Sequence, residues 1–151
     1  HLQLKAAADT GVLFIEGLAD GIILQNHAPG ISVEVVRDLA YSILQAARAR
    51  FTKTEYISCP GCGRTLYDLE GTIARIKAAT AHLKGLKIAI MGCIVNGPGE
   101  MADADYGYVG AARGKVSLYK QKVCIEKNIP EEEAVERLLR FIEEDLSKNQ
   151  E

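Results

Sequence analysis

The sequence has no tryptophan, only three phenylalanines, and no apolar run long enough to span a membrane. Its 18 basic and 20 acidic side chains nearly balance, giving a formal net charge of −2, and the basic residues are dispersed rather than gathered into a stripe. It contains neither a P-loop nor a dinucleotide-binding fingerprint. We therefore expect no nucleic-acid partner and no membrane partner.

The composition is that of a globular protein. The 151 residues are 48% hydrophobic and 25% charged, enough for one core or for a small core with an appendage. The four cysteines are unevenly spaced, which fits a reducing compartment better than a disulfide framework. Because the chain begins with His1, we expect it to be part of a longer protein whose native N-terminus, with any targeting segment, lies outside it.

Residues 1–50 have the pattern of the end of another unit. Leu2 to Ala8 has helical composition, Ile22 to Gln25 is strand-like, and Ser32 can cap a helix with apolar residues three and four apart. A helix-strand-helix segment buries little apolar surface by itself.

Residues 51–151 have a self-sufficient pattern. It predicts strands at Glu55 to Ser58, Leu86 to Met91, Tyr106 to Val109, Lys115 to Tyr119 and Lys122 to Glu126, with helices from Thr65 to about His82 and from Pro130 onward. The expected fold class is α+β, a small mixed sheet with flanking helices.

The cysteines lie where predicted strands end. Cys59 and Cys62 form a C-x-x-C pair, and Cys93 follows the next strand. The pair alone is also typical of structural zinc or of a thiol-disulfide redox pair. Zinc favours a fourth Cys or a His, but Cys124 has the setting of a buried small hydrophobe and the histidines have no matching spacing. Three thiolates with an incomplete fourth position suit a 4Fe-4S cluster.

Glu100 is the candidate for the fourth position. It follows Cys93 across a segment, Asn96 to Gly99, whose glycines and proline favour a turn over a continued helix. A carboxylate is a harder ligand than a thiolate, so a substrate oxygen could displace it. A glutamate on a surface loop is the alternative.

Two extended motifs resemble a known family. They are Cys-Pro-Gly-Cys-Gly-Arg at 59–64 and Met-Gly-Cys-Ile-Val-Asn-Gly-Pro-Gly-Glu-Met-Ala-Asp-Ala-Asp at 91–105, followed by Gly-Tyr-Val-Gly at 107–110. Together they resemble the C-terminal iron-sulfur domain of 4-hydroxy-3-methylbut-2-enyl diphosphate synthase, over about residues 54–119. The residues at 53–56 and 101–105 are similar to those of the longer, three-domain form of the enzyme found in plants and some bacteria.

The resemblance implies an oxidoreductase of isoprenoid biosynthesis. The family reduces 2-C-methyl-D-erythritol 2,4-cyclodiphosphate by two electrons, opening the ring and losing water. The resemblance further implies ferredoxin or flavodoxin as electron donor and a fold similar to the iron-sulfur half-domain of sulfite and nitrite reductases. The implied location is the cytoplasm in a bacterium or the plastid stroma in a plant.

The resemblance also implies roles for individual residues. Cys59, Cys62 and Cys93 match the family's thiolate ligands, and Glu100 matches the carboxylate on the fourth iron, which would also help to handle a proton. Asn96 matches a position close to the substrate, although an Asn that holds its own turn is the alternative.

The resemblance implies a division of the chain as well. Residues 1–50 would be a remnant of a barrel-like domain with a linker helix, and residues 51–151 the cluster domain. The family's substrate-binding barrel is absent from these residues, so we expect the chain to need a barrel of the same or a partner chain and to be inactive alone. The two alternative functions are a ferredoxin-like electron-transfer module and a zinc-stabilised binding domain.

Overall fold

The computed structural model describes residues 1–27, 29–95 and 97–148. It divides the chain into two compact units, His1–Thr52 (unit 1) and Lys53–Glu151 (unit 2). That unit 1 is the remnant of a barrel-like domain stays a prediction.

Unit 1 contains two helices, α1 (Leu2–Ile15) and α2 (Val33–Ala46). The predicted cap of α2 is confirmed, because the Val35 amide donates to Ser32 Oγ at 3.4 Å. The strand predicted at residues 22–25 is wrong: the backbone there is irregular. Two of these residues instead pack against a small apolar cluster, which stabilises the segment without strand pairing. The packed residues are Ile22 and Leu24, and the buried cluster is Ala6, Leu39 and Ile43.

Unit 2 is built on a five-stranded sheet in the order β1-β2-β3-β4-β5. Its elements are β1 (Glu55–Ser58), α3 (Leu69–Thr80), β2 (Lys87–Met91), α4 (Gly97–Glu100), β3 (Tyr106–Ala112), β4 (Lys115–Lys120), β5 (Val123–Pro130) and α5 (Glu131–Lys148). The first three strands are mutually parallel, whereas β4 and β5 run antiparallel to their neighbours. The α+β class with a small mixed sheet is confirmed, and the likeness to sulfite and nitrite reductases stays a prediction.

The two faces of the sheet bury different residues, because side chains alternate along each strand. On one face, α3 and α5 pack against Ile88 and Ile90 of β2 and their neighbours. On the other face, Ala89 and Met91 pack with Met101 and Ala104, which follow α4. Cys59 contacts this second cluster.

Several element bounds differ from the sequence-based prediction, and three of the differences concern helices. Helix α3 begins at Leu69 rather than Thr65, because the Asp68 carboxylate accepts from the Gly71 amide at 3.0 Å and caps the helix. Pro130 is the last residue of β5, paired with Lys115, so α5 begins one residue later. The segment expected to be a turn before Glu100 contains the one-turn helix α4, although Asn96 lies outside the described residues.

Helix α5 buries an apolar stripe against the sheet: Val135, Leu138 and Ile142 are buried, and Leu139 and Leu146 pack against the same core. In the part of the chain that the structure describes, no helix has the length and apolar character needed to cross a membrane.

Candidate functional site

The two cysteine motifs lie at the same edge of the sheet. Strand β1 ends at Ser58 and is followed by Cys59, while β2 ends at Met91, two residues before Cys93. The strands are parallel neighbours, with Ser58 paired to Ile90. Their carboxyl ends therefore meet, as expected for a site in an open α/β arrangement.

A cavity of about 110 Å³ opens at this edge. Its lining residues are Cys59, Pro60, Gly61, Cys62, Arg64, Met91, Cys93, Gly97 and Glu100. The cavity thus brings together the four predicted ligands, three from the cysteine motifs and one from α4. The fifth predicted site residue, Asn96, lies outside the described residues.

The cysteines differ in exposure. Cys62 is exposed, whereas Cys59 and Cys93 are half-buried, and none of the three forms a disulfide. Cys124 is not a cavity residue: it lies on β5, packs beside Tyr119, and its Sγ donates to the Glu126 carbonyl at 3.5 Å. In residues 1–27, 29–95 and 97–148, no three His, Cys, Asp or Glu side chains form a group that could hold a single metal ion.

The donor set nevertheless fits an iron-sulfur cluster. Thiolates are the usual ligands of such clusters, which span several ångströms, so their ligands line a cavity rather than converge on one point. One sulfur already accepts a backbone hydrogen bond, because the Gly92 amide donates to Cys59 Sγ at 3.2 Å. Such bonds are among the factors that tune cluster potentials.

A tight turn presents the exposed cysteine. The Thr65 amide donates to the Cys62 carbonyl at 2.9 Å, and the Cys62 amide donates to Thr65 Oγ1 at 3.3 Å. Thr65 also packs against Gly92, where a Cβ would lie 2.2 Å from Thr65 Oγ1. The turn of the first motif is therefore fitted against the backbone immediately before Cys93, and only glycine leaves room for it.

Helix α4 places Glu100 at the cavity. The Gly97 amide donates to the Cys93 carbonyl at 3.2 Å, and the Met101 amide donates to the Gly97 carbonyl at 2.9 Å. A Cβ on Gly97 would lie 3.1 Å from side-chain carbons of Met91 and Val109, so this glycine permits close packing on the sheet. Glu100 is consequently attached through one helical turn to the segment that carries Cys93.

A tyrosine behind the cavity supports the end of β2. The Tyr67 hydroxyl donates to the Met91 carbonyl at 3.0 Å, and its ring lies 5.5 Å from that of Tyr108. Burial raises the pKa of Tyr67 well above its usual range and that of Tyr108 to about 12. Both phenols are therefore protonated at neutral pH, and Tyr67 remains a hydrogen-bond donor. The sequence alone did not identify this role.

Arg64 is the cationic side chain among the described residues that line the cavity. A hydrogen bond to the Cys93 side chain, with the charges of the Cys62 and Cys93 thiolates, raises the pKa of the guanidinium above its usual range. Sequence reasoning left Arg64 unassigned, because an arginine beside a cysteine motif does not differ in pattern from any surface arginine.

Comparison with known proteins gives a consistent result. A family model described as the GcpE protein C-terminal domain matches residues 55–144. Among curated proteins, the chain is 74% identical over 144 residues to the 4-hydroxy-3-methylbut-2-en-1-yl diphosphate synthase (flavodoxin) of Bacteroides thetaiotaomicron, covering 95% of this chain and 23% of that protein.

More distant relatives carry the same name. The protein of Chlorobaculum tepidum is 60% identical over 139 residues, which cover 92% of this chain and 18% of the relative. That of Chlamydia caviae is 52% identical over 141 residues, which cover 93% of this chain and 23% of the relative. The chain therefore spans less than a quarter of the length of these relatives.

Proposed function

The chain belongs to the GcpE C-terminal domain family, and from that premise we propose that it is the cluster-bearing part of a 4-hydroxy-3-methylbut-2-enyl diphosphate synthase. The observation that carries the proposal is the shared cavity of Cys59, Cys62, Cys93 and Glu100 at the ends of two parallel strands. Similarity to whole synthases over nearly all of this chain supports the assignment.

The three cysteines would hold a 4Fe-4S cluster, and Glu100 would provide its fourth, exchangeable protein ligand. When bound, the cluster supplies electrons one at a time and an iron open to an oxygen ligand. The substrate, 2-C-methyl-D-erythritol 2,4-cyclodiphosphate, takes up two electrons and two protons in total, and releases one water as the ring opens.

The residues of this chain would then have distinct tasks. The Gly92 amide keeps the Cys59 sulfur in place, and the Cys62–Thr65 turn presents Cys62 at the cavity mouth. Glu100, which lines the same cavity, would hold a proton for the leaving oxygen. Asn96, outside the described residues, would donate a hydrogen bond to the substrate.

We assign the electron donor as flavodoxin, which the relatives' names include; ferredoxin is the second carrier of this kind. The diphosphate pocket would come from the barrel-like domain, in the same or a partner chain, with residues 1–50 as its remnant. We therefore expect the chain alone to convert no cyclic diphosphate when supplied with reduced flavodoxin. Product formed by the chain alone would contradict this division of labour.

Anaerobic reconstitution tests the ligand set. We compare iron and acid-labile sulfide bound by the chain with those of Cys93→Ser and of the matched control Cys124→Ser. The original chain and the control should each bind about four irons and four sulfides, while Cys93→Ser should lose most of both. Equal iron content in the two variants would remove Cys93 from the ligand set, and stoichiometric zinc without sulfide would favour a zinc-stabilised domain.

A further inference from the structure

The lining of the cavity includes a positive side chain, Arg64, that is not part of the proposed ligand set. Three thiolates and the Glu100 carboxylate would place four negative charges around it, and Arg64 supplies the positive charge among the described residues of its lining. Each electron delivered to a bound cluster adds one further negative charge. A cation held beside the sulfurs therefore favours the reduced state over the oxidised state.

The backbone fixes where this cation lies. Arg64 is the third residue of the turn closed by the two hydrogen bonds between Cys62 and Thr65. This turn packs against Gly92, since Thr65 Oγ1 occupies the space that a Cβ at Gly92 would need. Arg64 is thus carried by one cysteine motif and held next to the other.

The guanidinium belongs to the cavity that both motifs line. Arg64 lies in the same lining as Cys62 and Cys93. Its side chain is a permanent cation at any ordinary pH. Arg64 therefore places a positive charge in the cavity to which both cysteine motifs contribute sulfurs.

We propose, on the basis of the cluster-bearing function proposed above, that Arg64 raises the reduction potential of the cluster by placing a positive charge beside its Cys62 and Cys93 ligands. It sets how readily the cluster accepts an electron from its donor. This role differs from ligation and requires no contact with the substrate.

A redox titration of the reconstituted chain, followed by electron paramagnetic resonance, tests the proposal. Arg64→Gln should lower the equilibrium constant for one-electron reduction about tenfold, equivalent to a potential about 59 mV more negative. Arg64→Lys should stay closer to the original chain than Arg64→Gln does, because it keeps the positive charge. Arg140→Gln, which removes the same charge from an exposed position on α5, should match the original chain.

Salt separates an electrostatic role from a purely structural one. Arg64 is exposed, so the difference between the original chain and Arg64→Gln should shrink as ionic strength rises. If Arg64→Gln does not retain the cluster, Arg64→Lys provides the test. Because this variant keeps the positive charge, its reduction potential should depend on salt as that of the original chain does. Loss of that dependence in Arg64→Lys would overturn the proposal.

The remaining outcomes are distinct. A cluster in Arg64→Gln with the potential of the original chain at low salt would overturn the role of Arg64 and leave the proposed function standing. An original chain that binds no iron and sulfide would overturn the proposed function, and the role of Arg64 with it.

Discussion

Gly110 of β3 lies against the backbone that carries Cys93, and its replacement by alanine should damage both fold and site. A Cβ there would lie 2.3 Å from the Gly92 carbonyl oxygen and 2.9 Å from Cε1 of Tyr67. The oxygen belongs to the backbone and cannot rotate away. The Gly92–Cys93 segment or β3 must therefore shift.

The expected cost follows from the tightness of this contact. Overpacking a well-packed core costs about 1–3 kcal/mol. With a urea m-value of about 2 kcal/mol/M, a loss of about 2 kcal/mol lowers the unfolding midpoint by about 1 M. Tyrosine fluorescence reports chiefly on unit 2, because every tyrosine except Tyr41 lies there. Iron bound after reconstitution should fall in parallel, since Cys93 is displaced.

Gly99→Ala is the matched control. Its Cβ would meet nothing within 4 Å, so this variant should unfold at or slightly above the original midpoint. A Gly110→Ala midpoint equal to that of Gly99→Ala, with full iron binding, would refute the inference that Gly110 holds the Cys93 segment in place.

Two further predictions concern hydrogen bonds behind the sheet edge and near the end of α5. Tyr67→Phe leaves the Met91 carbonyl without its hydroxyl donor and should cost about 1 kcal/mol in urea unfolding, and an unchanged midpoint would contradict this. Hydrogen bonds from Lys120, and then from Tyr106, lower the pKa of the Asp145 carboxyl. These bonds therefore stabilise the fold at pH values above the ordinary Asp pKa, and the stabilisation is lost as the pH falls through the lowered pKa of Asp145. Asp145→Asn should therefore have a lower urea unfolding midpoint than the original chain at pH 7, and the two midpoints should approach each other below about pH 4. A difference between the midpoints that does not depend on pH would contradict the ionic contribution.

Much of the sheet could be predicted from local pattern. The strand at Glu55–Ser58 has the predicted bounds, and the strand that precedes Cys93 differs from its prediction by one residue. Short apolar runs bounded by glycine and polar residues carry a strong strand signal. Parallel neighbours with ligands at their carboxyl ends follow from the same pattern, so the shared location of the cysteine motifs was predictable as well.

The errors have a common physical cause, which is that tertiary contacts decide among local options. Ile22 and Leu24 have strand propensity, but they pack as side chains on a helical cluster instead of pairing in a sheet. Thr65 has the pattern of a helix start, yet its hydroxyl closes the turn of the cysteine motif and leaves the cap to Asp68. Neither choice is visible in the local sequence.

The contacts that support the cavity could not be predicted from the sequence either. The close contacts of Gly92 and Gly110 join segments far apart in the chain, and the bond from Tyr67 to the Met91 carbonyl spans 24 residues. A glycine's pattern does not tell whether its missing Cβ makes room for a neighbour. The sequence therefore predicted candidate ligands that the structure brings to one cavity, and the structure showed which contacts support that cavity.

The most direct test of the proposed site is the Mössbauer spectrum of the anaerobically reconstituted chain beside those of Glu100→Ala and of Glu143→Ala, an exposed glutamate on α5. The account predicts a 4Fe-4S cluster in which one iron is distinct because its ligand is not a thiolate. That iron should change in Glu100→Ala and remain unaltered in Glu143→Ala. A spectrum that is the same in all three proteins would contradict the assignment of Glu100 to the fourth iron.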